Sequence, residues 1–221
     1  MANPSITLYF DTVSPFGYIA FHVLRTSPIF STCKITYVPI FLGGLMHACG
    51  NTPPVEIKNK DKWIATERNR WAKYFSVPIV AETPPNFPPR TLHTQRALCA
   101  VAQLAPEQLL SVQEALFRTF WVEGDGRIGE PACFVPVLEA VLGKEVAARV
   151  VEIMGTPEIK AQLAANTDRA FKAGAFGVPW LECTNAQGKT EGFFGVDHLG
   201  QVVDFLGLER GLDRGLMRAL L

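Results

Sequence analysis

The hydrophobic positions near the start of the chain are typical of a strand, a helix and a second strand. Residues 6–10 and about 34–41 form short apolar runs with β-branched and aromatic residues, which predict strands. Residues 18–24 between them carry the wide apolar face of a helix. Together they predict a βαβ unit with a right-handed crossover, followed by a break at Gly43-Gly44.

The middle of the chain has no strand pattern from about residue 61 to residue 176. Proline and acidic residues mark helix starts there, for example Thr156-Pro157-Glu158. The proline-rich stretch 83–89 cannot be helical and predicts a loop. We expect helices near residues 61–75, 91–104, 106–120, 130–142, 144–154 and 157–173.

Strand character returns near the end of the chain. Residues 180–184 and 190–194 flank a turn at 185–188 and predict a β-hairpin, and a closing helix is expected from Asp197 to near Gly207. The order βαβ, helical block, ββα predicts an α/β protein with a thioredoxin-like fold and an inserted all-helical domain. We expect the thioredoxin-like domain over residues 1–60 and 177–221, and the inserted domain over residues 61–176.

Composition restricts the classes of function. The chain has 221 residues, of which 48% are hydrophobic, and a net charge of zero, which favours a soluble globular protein. Because no basic stripe and no apolar run of about 20 residues is present, we expect neither nucleic-acid binding nor a membrane span. A strand begins almost at the N-terminus and leaves no room for a secretory signal. We therefore expect an intracellular, cytoplasmic protein, with a mitochondrial or peroxisomal location left open.

The cysteines predict neither a redox pair nor a metal site. They are odd in number, and no two have Cys-x-x-Cys or metal-ligand spacing. The four histidines are equally scattered, so we expect no metal ligands. Reduced structural cysteines are typical of a cytosol-like compartment. The five are Cys33, Cys49, Cys99, Cys133 and Cys183.

Residues 14–17, Ser-Pro-Phe-Gly, occupy the strand-to-helix turn where a thioredoxin-like fold would carry Cys-x-x-Cys. Unpaired N–H groups and the helix dipole at such a turn stabilise a thiolate. Because the motif contains no cysteine, dithiol exchange is excluded, and a thiolate must arrive with a substrate such as glutathione. The alternative is that Ser14 only caps the helix.

Val178-Pro179 directly precedes the predicted hairpin. In thioredoxin-like folds a cis-proline at this place faces the active-site turn, and the residue before it offers its backbone N–H and C=O to an extended peptide. Cis peptide bonds are almost confined to X-Pro. The alternative is an ordinary trans-proline at a strand start.

Four motifs, taken together, resemble kappa-class glutathione transferases and the related bacterial 2-hydroxychromene-2-carboxylate isomerases. The resemblance covers nearly the whole chain and is weakest in the helical block. It implies a DsbA-like thioredoxin domain with a helical insertion, and a homodimer. The motifs, in chain order, are residues 11–16 (Asp-Thr-Val-Ser-Pro-Phe), 50–54 (Gly-Asn-Thr-Pro-Pro), 174–179 (Gly-Ala-Phe-Gly-Val-Pro) and 194–197 (Phe-Gly-Val-Asp).

The resemblance also implies roles in binding glutathione. Ser14 would be the catalytic residue, donating a hydrogen bond to the sulfur and lowering the thiol pKa from its usual value of about 8.5. Val178 would hold the cysteinyl backbone through its main chain. Asn51 and Lys60 match positions at the glycyl carboxylate, although Lys58 and Lys62 lie close enough in sequence to replace Lys60.

The γ-glutamyl end of glutathione would be bound by Val196 and Asp197. Backbone N–H groups at a helix N-terminus suit its carboxylate, and the Asp197 side chain suits its ammonium. Asp197 could equally serve as the N-cap of the closing helix, and the two roles are compatible.

The chain departs from the mammalian form of the pattern at Tyr18, Trp180 and Val196. With Phe16, the first two form a possible pocket for the electrophile, although such aromatic residues also pack in cores. The resemblance implies a glutathione transferase in which the glutathione thiolate attacks an electrophilic small molecule. The alternatives are a glutathione-dependent isomerase and a non-catalytic thioredoxin-like binding module. The natural electrophile, and a detoxifying or biosynthetic role, stay open.

Overall fold

A four-stranded mixed sheet organises the chain in a computed structural model that describes residues 3–213 and 216. The strands follow the order β2-β1-β3-β4, in which β1 and β2 are parallel and the other pairs antiparallel. The end of the predicted second thioredoxin-like segment lies outside the described residues. The strands are β1 (Ser5–Phe10), β2 (Lys34–Pro39), β3 (Trp180–Thr184) and β4 (Thr190–Phe194).

Nine α-helices surround this sheet in the described part of the chain. Seven of them lie between β2 and β3: a short first helix, and then the six helices that form the helical insertion. They are α1 (Pro15–Thr26), α2 (Leu42–Cys49), α3 (Lys60–Tyr74), α4 (Leu92–Leu104), α5 (Leu109–Phe117), α6 (Pro131–Leu142), α7 (Lys144–Ile153), α8 (Pro157–Lys172) and α9 (Leu199–Leu206). The predicted order of strands and helices is confirmed, while the domain boundaries at residues 60 and 176 stay a prediction. None of the described helices has the length and apolar character needed to span a membrane.

The larger hydrophobic cluster joins the sheet to the insertion. Ile6, Leu8 and Phe10 on one face of β1 are fully buried and belong to it. Phe117, at the end of α5, brings its ring to 6.2 Å from that of Phe10 and 5.1 Å from that of Tyr18. Because aromatic side chains bury large areas and prefer such tilted contacts, this cluster fixes the insertion against α1.

A smaller cluster covers the opposite face of the sheet. Tyr9 of β1 pairs with Trp180 of β3, and both side chains are buried in this cluster together with Leu45 of α2 and Ala170 of α8. Alternate residues of a strand point to opposite faces, so Leu8 and Leu181 lie in the larger cluster instead. The sheet is therefore buried on both sides.

The predicted break at Gly43-Gly44 is wrong, because both glycines lie inside α2. The ring of Phe41 lies against them, and a β-carbon at residue 43 would come within 2.9 Å of its Cζ atom. The glycines thus allow a close approach that larger residues would prevent. Strand β2 ends at Pro39 rather than at the predicted Phe41. Helix α2 ends at Cys49 and is capped by Gly50, whose φ is 67°.

Gly192→Ala should lower the free energy of unfolding by about 1–3 kcal/mol, because the new methyl group forces the indole to move. Gly192 of β4 lies under the Trp180 indole, and a β-carbon there would be 2.2 Å from Cζ2. Urea denaturation measures this change. Gly155→Ala is the matched control, since a β-carbon at residue 155 meets no atom within 4 Å. Equal unfolding free energies for the two variants would contradict the prediction.

Candidate functional site

Ser14 stands between β1 and α1 and makes two contacts through its hydroxyl. The oxygen accepts a hydrogen bond from Gly17 N–H at 3.0 Å, which makes Ser14 the N-cap of α1. The hydroxyl donates to the carbonyl oxygen of Val178 at 3.2 Å. The predicted capping role is therefore confirmed, and the same side chain also reaches the segment that precedes β3.

The peptide bond between Val178 and Pro179 is cis, as predicted. Val178 is buried, its carbonyl accepts the Ser14 hydroxyl, and its N–H has no hydrogen-bond partner among the described residues. Gly195 N–H donates to the Pro179 carbonyl at 3.0 Å. This bond brings the segment containing Val196 and Asp197 beside the proline.

Asn51 also reaches this segment. It follows Gly50 at the end of α2, and its Nδ2 donates to the carbonyl oxygen of Phe176 at 2.8 Å. The structure thus brings Ser14 and Asn51 to carbonyl groups two residues apart, those of Val178 and Phe176. An extended peptide lying along this segment would meet both side chains.

The other predicted binding residues, Val196, Asp197 and Lys60, are less directly connected to Ser14 and Val178. Val196 is buried, with 1% of the whole residue exposed. Asp197 lies in a 3-10 turn with its side chain 55% exposed and makes no capping bond, so its predicted role as N-cap is wrong; His198 occupies the cap position of α9. Lys60 is exposed at the start of α3.

A cleft of about 420 Å³ opens beside Pro15, between α1, α3 and the loop at residues 83–87. Its aromatic walls are Phe87 and Trp121, whose ring centroids are 5.6 Å apart. Lys62 lines it, whereas Lys60 does not. The lining residues are Pro15, Val55, Asp61, Lys62, Ile64, Ala65, Arg68, Thr83, Phe87 and Trp121.

The three aromatic residues predicted to form an electrophile pocket do not meet in this cleft. Phe16 is half-buried beside Pro15, at the N-terminal end of α1, which is the end that borders the cleft. Tyr18 is 5% exposed and packs against Phe117 in the larger cluster. Trp180 belongs to the smaller cluster on the opposite face of the sheet. The cleft takes its aromatic walls from the insertion instead.

Arg68 of α3 is a cleft residue that the sequence did not single out. It is 2% exposed, and its guanidinium donates to the carbonyl oxygen of Ala81 at 2.5 Å and to Thr83 Oγ1 at 3.2 Å. It also lies 5.5 Å from the ring centroid of Trp121. No carboxylate within the described residues pairs with it, and burial lowers the pKa of the Arg68 side chain. A cation without an ionic partner therefore forms part of the cleft wall.

Asp11 is a second residue to which the sequence analysis gave no role, although it begins the motif at residues 11–16 and directly follows a buried strand. It is fully buried. Its Oδ1 accepts hydrogen bonds from Val13 N–H, Thr91 Oγ1 and Gln95 Nε2 at 3.1, 2.7 and 3.1 Å, and its Oδ2 accepts one from Leu42 N–H at 2.8 Å. Burial raises the pKa of Asp11 to about 6 because desolvation outweighs these four bonds.

Ser14→Ala should lower the free energy of unfolding by about 1–2 kcal/mol, because it leaves Gly17 N–H and the Val178 carbonyl without their partner. Thr156→Ala is the matched control, since Thr156 caps α8 through Ile159 N–H far from this turn. Urea denaturation of both variants measures the two caps. Loss of stability in Thr156→Ala alone would show that the Ser14 cap contributes nothing.

The raised pKa of Asp11 predicts a pH-dependent stability. Protonation of Asp11 is favoured in the fold, so its contribution is fully present below its unfolded pKa of 3.8 and is lost as pH rises through about 6. Stability of the wild type relative to Asp11→Asn should therefore fall by on the order of 3 kcal/mol between pH 4 and pH 7. Urea denaturation at several pH values measures it, and a difference that rises with pH would contradict the prediction.

The chain is similar to known proteins over most of its length. The family model of the DSBA-like thioredoxin domain matches residues 5–207. A Caenorhabditis elegans protein, glutathione S-transferase kappa 1, is 30% identical over 209 residues, which cover 92% of this chain and 91% of that protein. Human glutathione S-transferase kappa 1 is 27% identical over 209 residues, with the same coverage of 92% and 91%.

A solved structure has the same fold. That of a 2-hydroxychromene-2-carboxylate isomerase superposes with a TM-score of 0.77 at 22% identity, covering 92% of this chain and 94% of that chain. The family match covers both the Ser14 turn and the cis-proline described above. The chain therefore belongs to the DsbA-like thioredoxin family and, within it, to the kappa class of glutathione S-transferases.

Proposed function

We propose that this protein is a glutathione transferase that holds the glutathione sulfur as a thiolate at Ser14 and directs it at an electrophile in the cleft beside Pro15. The observation that carries the proposal is the position of the Ser14 hydroxyl, at the N-terminus of α1 and 3.2 Å from the carbonyl oxygen of Val178. This is where a thiol lying along the cis-proline segment would meet a hydrogen-bond donor.

The turn offers several sources of thiolate stabilisation. The Ser14 hydroxyl rotates from the Val178 carbonyl to donate to the sulfur, while its oxygen still caps Gly17 N–H. The N–H of Phe16 has no partner among the described residues and lies in the first turn of α1. With the helix dipole, these donors favour the charged form of a thiol whose ordinary pKa is about 8.5.

The remaining binding residues fit the two ends of the tripeptide. The free N–H of Val178 suits the cysteinyl carbonyl. Asn51 and Lys60 supply an amide and an ammonium for the glycyl carboxylate, and Lys62 is the neighbouring alternative. The backbone of Val196 and the carboxylate of Asp197 suit the γ-glutamyl end, because Asp197 is exposed and opposite in charge to its ammonium.

The acceptor would lie in the cleft beside Pro15, against Phe87, with the fully buried Trp121 behind it. The thiolate attacks an electrophilic carbon, a new C–S bond forms, and the leaving group departs with the electron pair of its bond. The apolar walls limit access of water, which strengthens the electrostatic interactions in the cleft. By the same family membership we propose that the protein acts as a homodimer.

A second candidate function is glutathione-dependent isomerisation of an unsaturated carboxylate. The thiolate adds to a conjugated double bond, rotation follows, and the thiolate leaves. The charges of the cleft favour this candidate, because Lys62 and Arg68 outnumber Asp61 there. The similar fold of a 2-hydroxychromene-2-carboxylate isomerase is consistent with it. Both candidates use the same thiol site.

Titration of glutathione into the protein at neutral pH should give a saturable thiolate absorbance near 240 nm. Ser14→Ala should reduce this signal and should lower the turnover by about 10²-fold, while changing glutathione affinity less, because the hydroxyl acts on the charged sulfur. Thr156→Ala, which removes a cap elsewhere, should leave both unchanged. Absence of any thiolate signal in the wild type would favour the non-catalytic binding module.

Asn51→Ala should mainly weaken glutathione affinity, by about tenfold, because the amide contacts the carboxylate end and not the sulfur. Calorimetric Kd values and saturating turnover separate the two effects. Equal losses of affinity and turnover in Asn51→Ala and Ser14→Ala would contradict this division. A parallel assay with a chloronitroarene and a chromene carboxylate distinguishes transfer from isomerisation.

A further inference from the structure

The carboxylate of Asp11 organises the turn that carries Ser14. Oδ1 of Asp11 accepts the N–H of Val13 at 3.1 Å, and the backbone carbonyl of Asp11 accepts the N–H of Ser14 at 3.0 Å. An aspartate that accepts the N–H two residues on fixes a tight turn. The direction in which Ser14 leaves β1 therefore depends on this side chain.

The other carboxylate oxygen of Asp11 anchors helix α2, which leads to Asn51. Oδ2 accepts the N–H of Leu42 at 2.8 Å, and Leu42 is the first residue of α2. This helix of eight residues, about 12 Å long, ends at Cys49 and is capped by Gly50, directly before Asn51. An anchored N-terminus fixes where the other end of so short a helix can lie.

The same carboxylate is tied to the insertion that builds the cleft. Thr91 and Gln95, at the start of α4, both donate to Oδ1, and Gln95 Nε2 also lies 2.8 Å from Thr12 Oγ1. The indole N–H of Trp121 donates to the carbonyl oxygen of Thr12 at 3.1 Å. The Trp121 wall is therefore held against the residue that follows Asp11.

We propose that Asp11 is a positioning residue for both arms of the glutathione site, which are the turn that carries Ser14 and the helix α2 that leads to Asn51. It fixes the separation between Ser14 and Asn51 without touching the substrate. The proposal rests on the proposed function, in which these two side chains bind opposite parts of one glutathione molecule. The four groups that contact the carboxylate are uncharged, so its full negative charge is shared among hydrogen bonds that join the two arms and the insertion.

Asp11→Asn tests the proposal because it breaks the hydrogen bond between residue 11 and the N–H of Leu42. The remaining oxygen keeps three bonds if it faces Val13, Thr91 and Gln95, which turns the new NH2 group towards the N–H of Leu42. The α2 anchor is then lost while the Ser14 turn is kept. We expect amide hydrogen exchange across residues 42–51 to quicken at least about tenfold and the Kd for glutathione to rise about tenfold. The thiolate absorbance at saturation should persist.

Asp11→Ala removes both connections and provides a graded comparison. It should speed exchange in residues 11–17 as well as in 42–51, and it should lower the saturating thiolate absorbance in addition to raising the Kd. Thr94→Val is the matched control, since Thr94 is a fully buried α4 residue whose hydroxyl donates to the Ile128 carbonyl at 2.8 Å rather than to Asp11. It should change neither exchange in these segments nor the Kd.

Two results would overturn the proposal. One is unchanged exchange across residues 42–51 in Asp11→Asn; the other is an equal rise of the glutathione Kd in Asp11→Asn and Thr94→Val. If Asp11→Asn does not fold, Thr91→Val removes one donor at constant shape, and an unchanged Kd in that variant would assign Asp11 to stability alone. A wild type without thiolate absorbance would reject the proposed function, whereas the exchange rates would still decide whether Asp11 fixes the two arms.

Discussion

Burial of the Asp11 carboxylate is the constraint on which the joint between the sheet and the helical insertion depends. A charge removed from water must be given hydrogen-bond donors, and a donor lost from such a group costs several kcal/mol. Here the donors come from the turn after β1, from α2 and from α4. None of these segments can move away alone without leaving the carboxylate short of a partner. Burial raises the pKa of Asp11, while the hydrogen bonds to its carboxylate fix the geometry of the segments around it.

Ser14 shows how capping and chemistry share one side chain. Its oxygen accepts Gly17 N–H, while its hydrogen is directed at the Val178 carbonyl, so the cap uses a lone pair and leaves the proton for another acceptor. A cysteine at this place would provide its own thiolate. A serine cannot, but it can donate to a thiolate that a ligand brings. The two interpretations of Ser14 that the sequence left open are therefore compatible in the structure.

The parts of the fold that could be predicted from the sequence are those governed by local periodicity. The strands, the hairpin, the insertion helices and the cis-proline position follow from apolar spacing and from proline. Helix α2 was not predicted, because glycines disfavour helices, and the packing of the Phe41 ring against Gly43 and Gly44 is visible only in the structure. The sequence predicts Trp180 in a possible electrophile pocket, yet its pairing with Tyr9 directs it to the smaller cluster on the other face of the sheet. Strand pairing, which no local pattern contains, decides that face.

The cleft could be predicted from local sequence patterns even less well, because Arg68, Phe87 and Trp121 come from three elements of the insertion. The proposed thiol site, in contrast, consists of Ser14 and the cis-proline segment of the thioredoxin-like fold. The two sets of residues approach each other at the turn from Thr12 to Pro15, where the Trp121 indole donates to the Thr12 carbonyl and Pro15 lines the cleft. Changes in the insertion can therefore alter the charge and shape offered to an acceptor while the sulfur stays at the same donors. In the proposed function, this separation makes one thiol site compatible with both transfer and isomerisation chemistry, and the charge of Arg68, rather than Ser14, would bear on which acceptor is used.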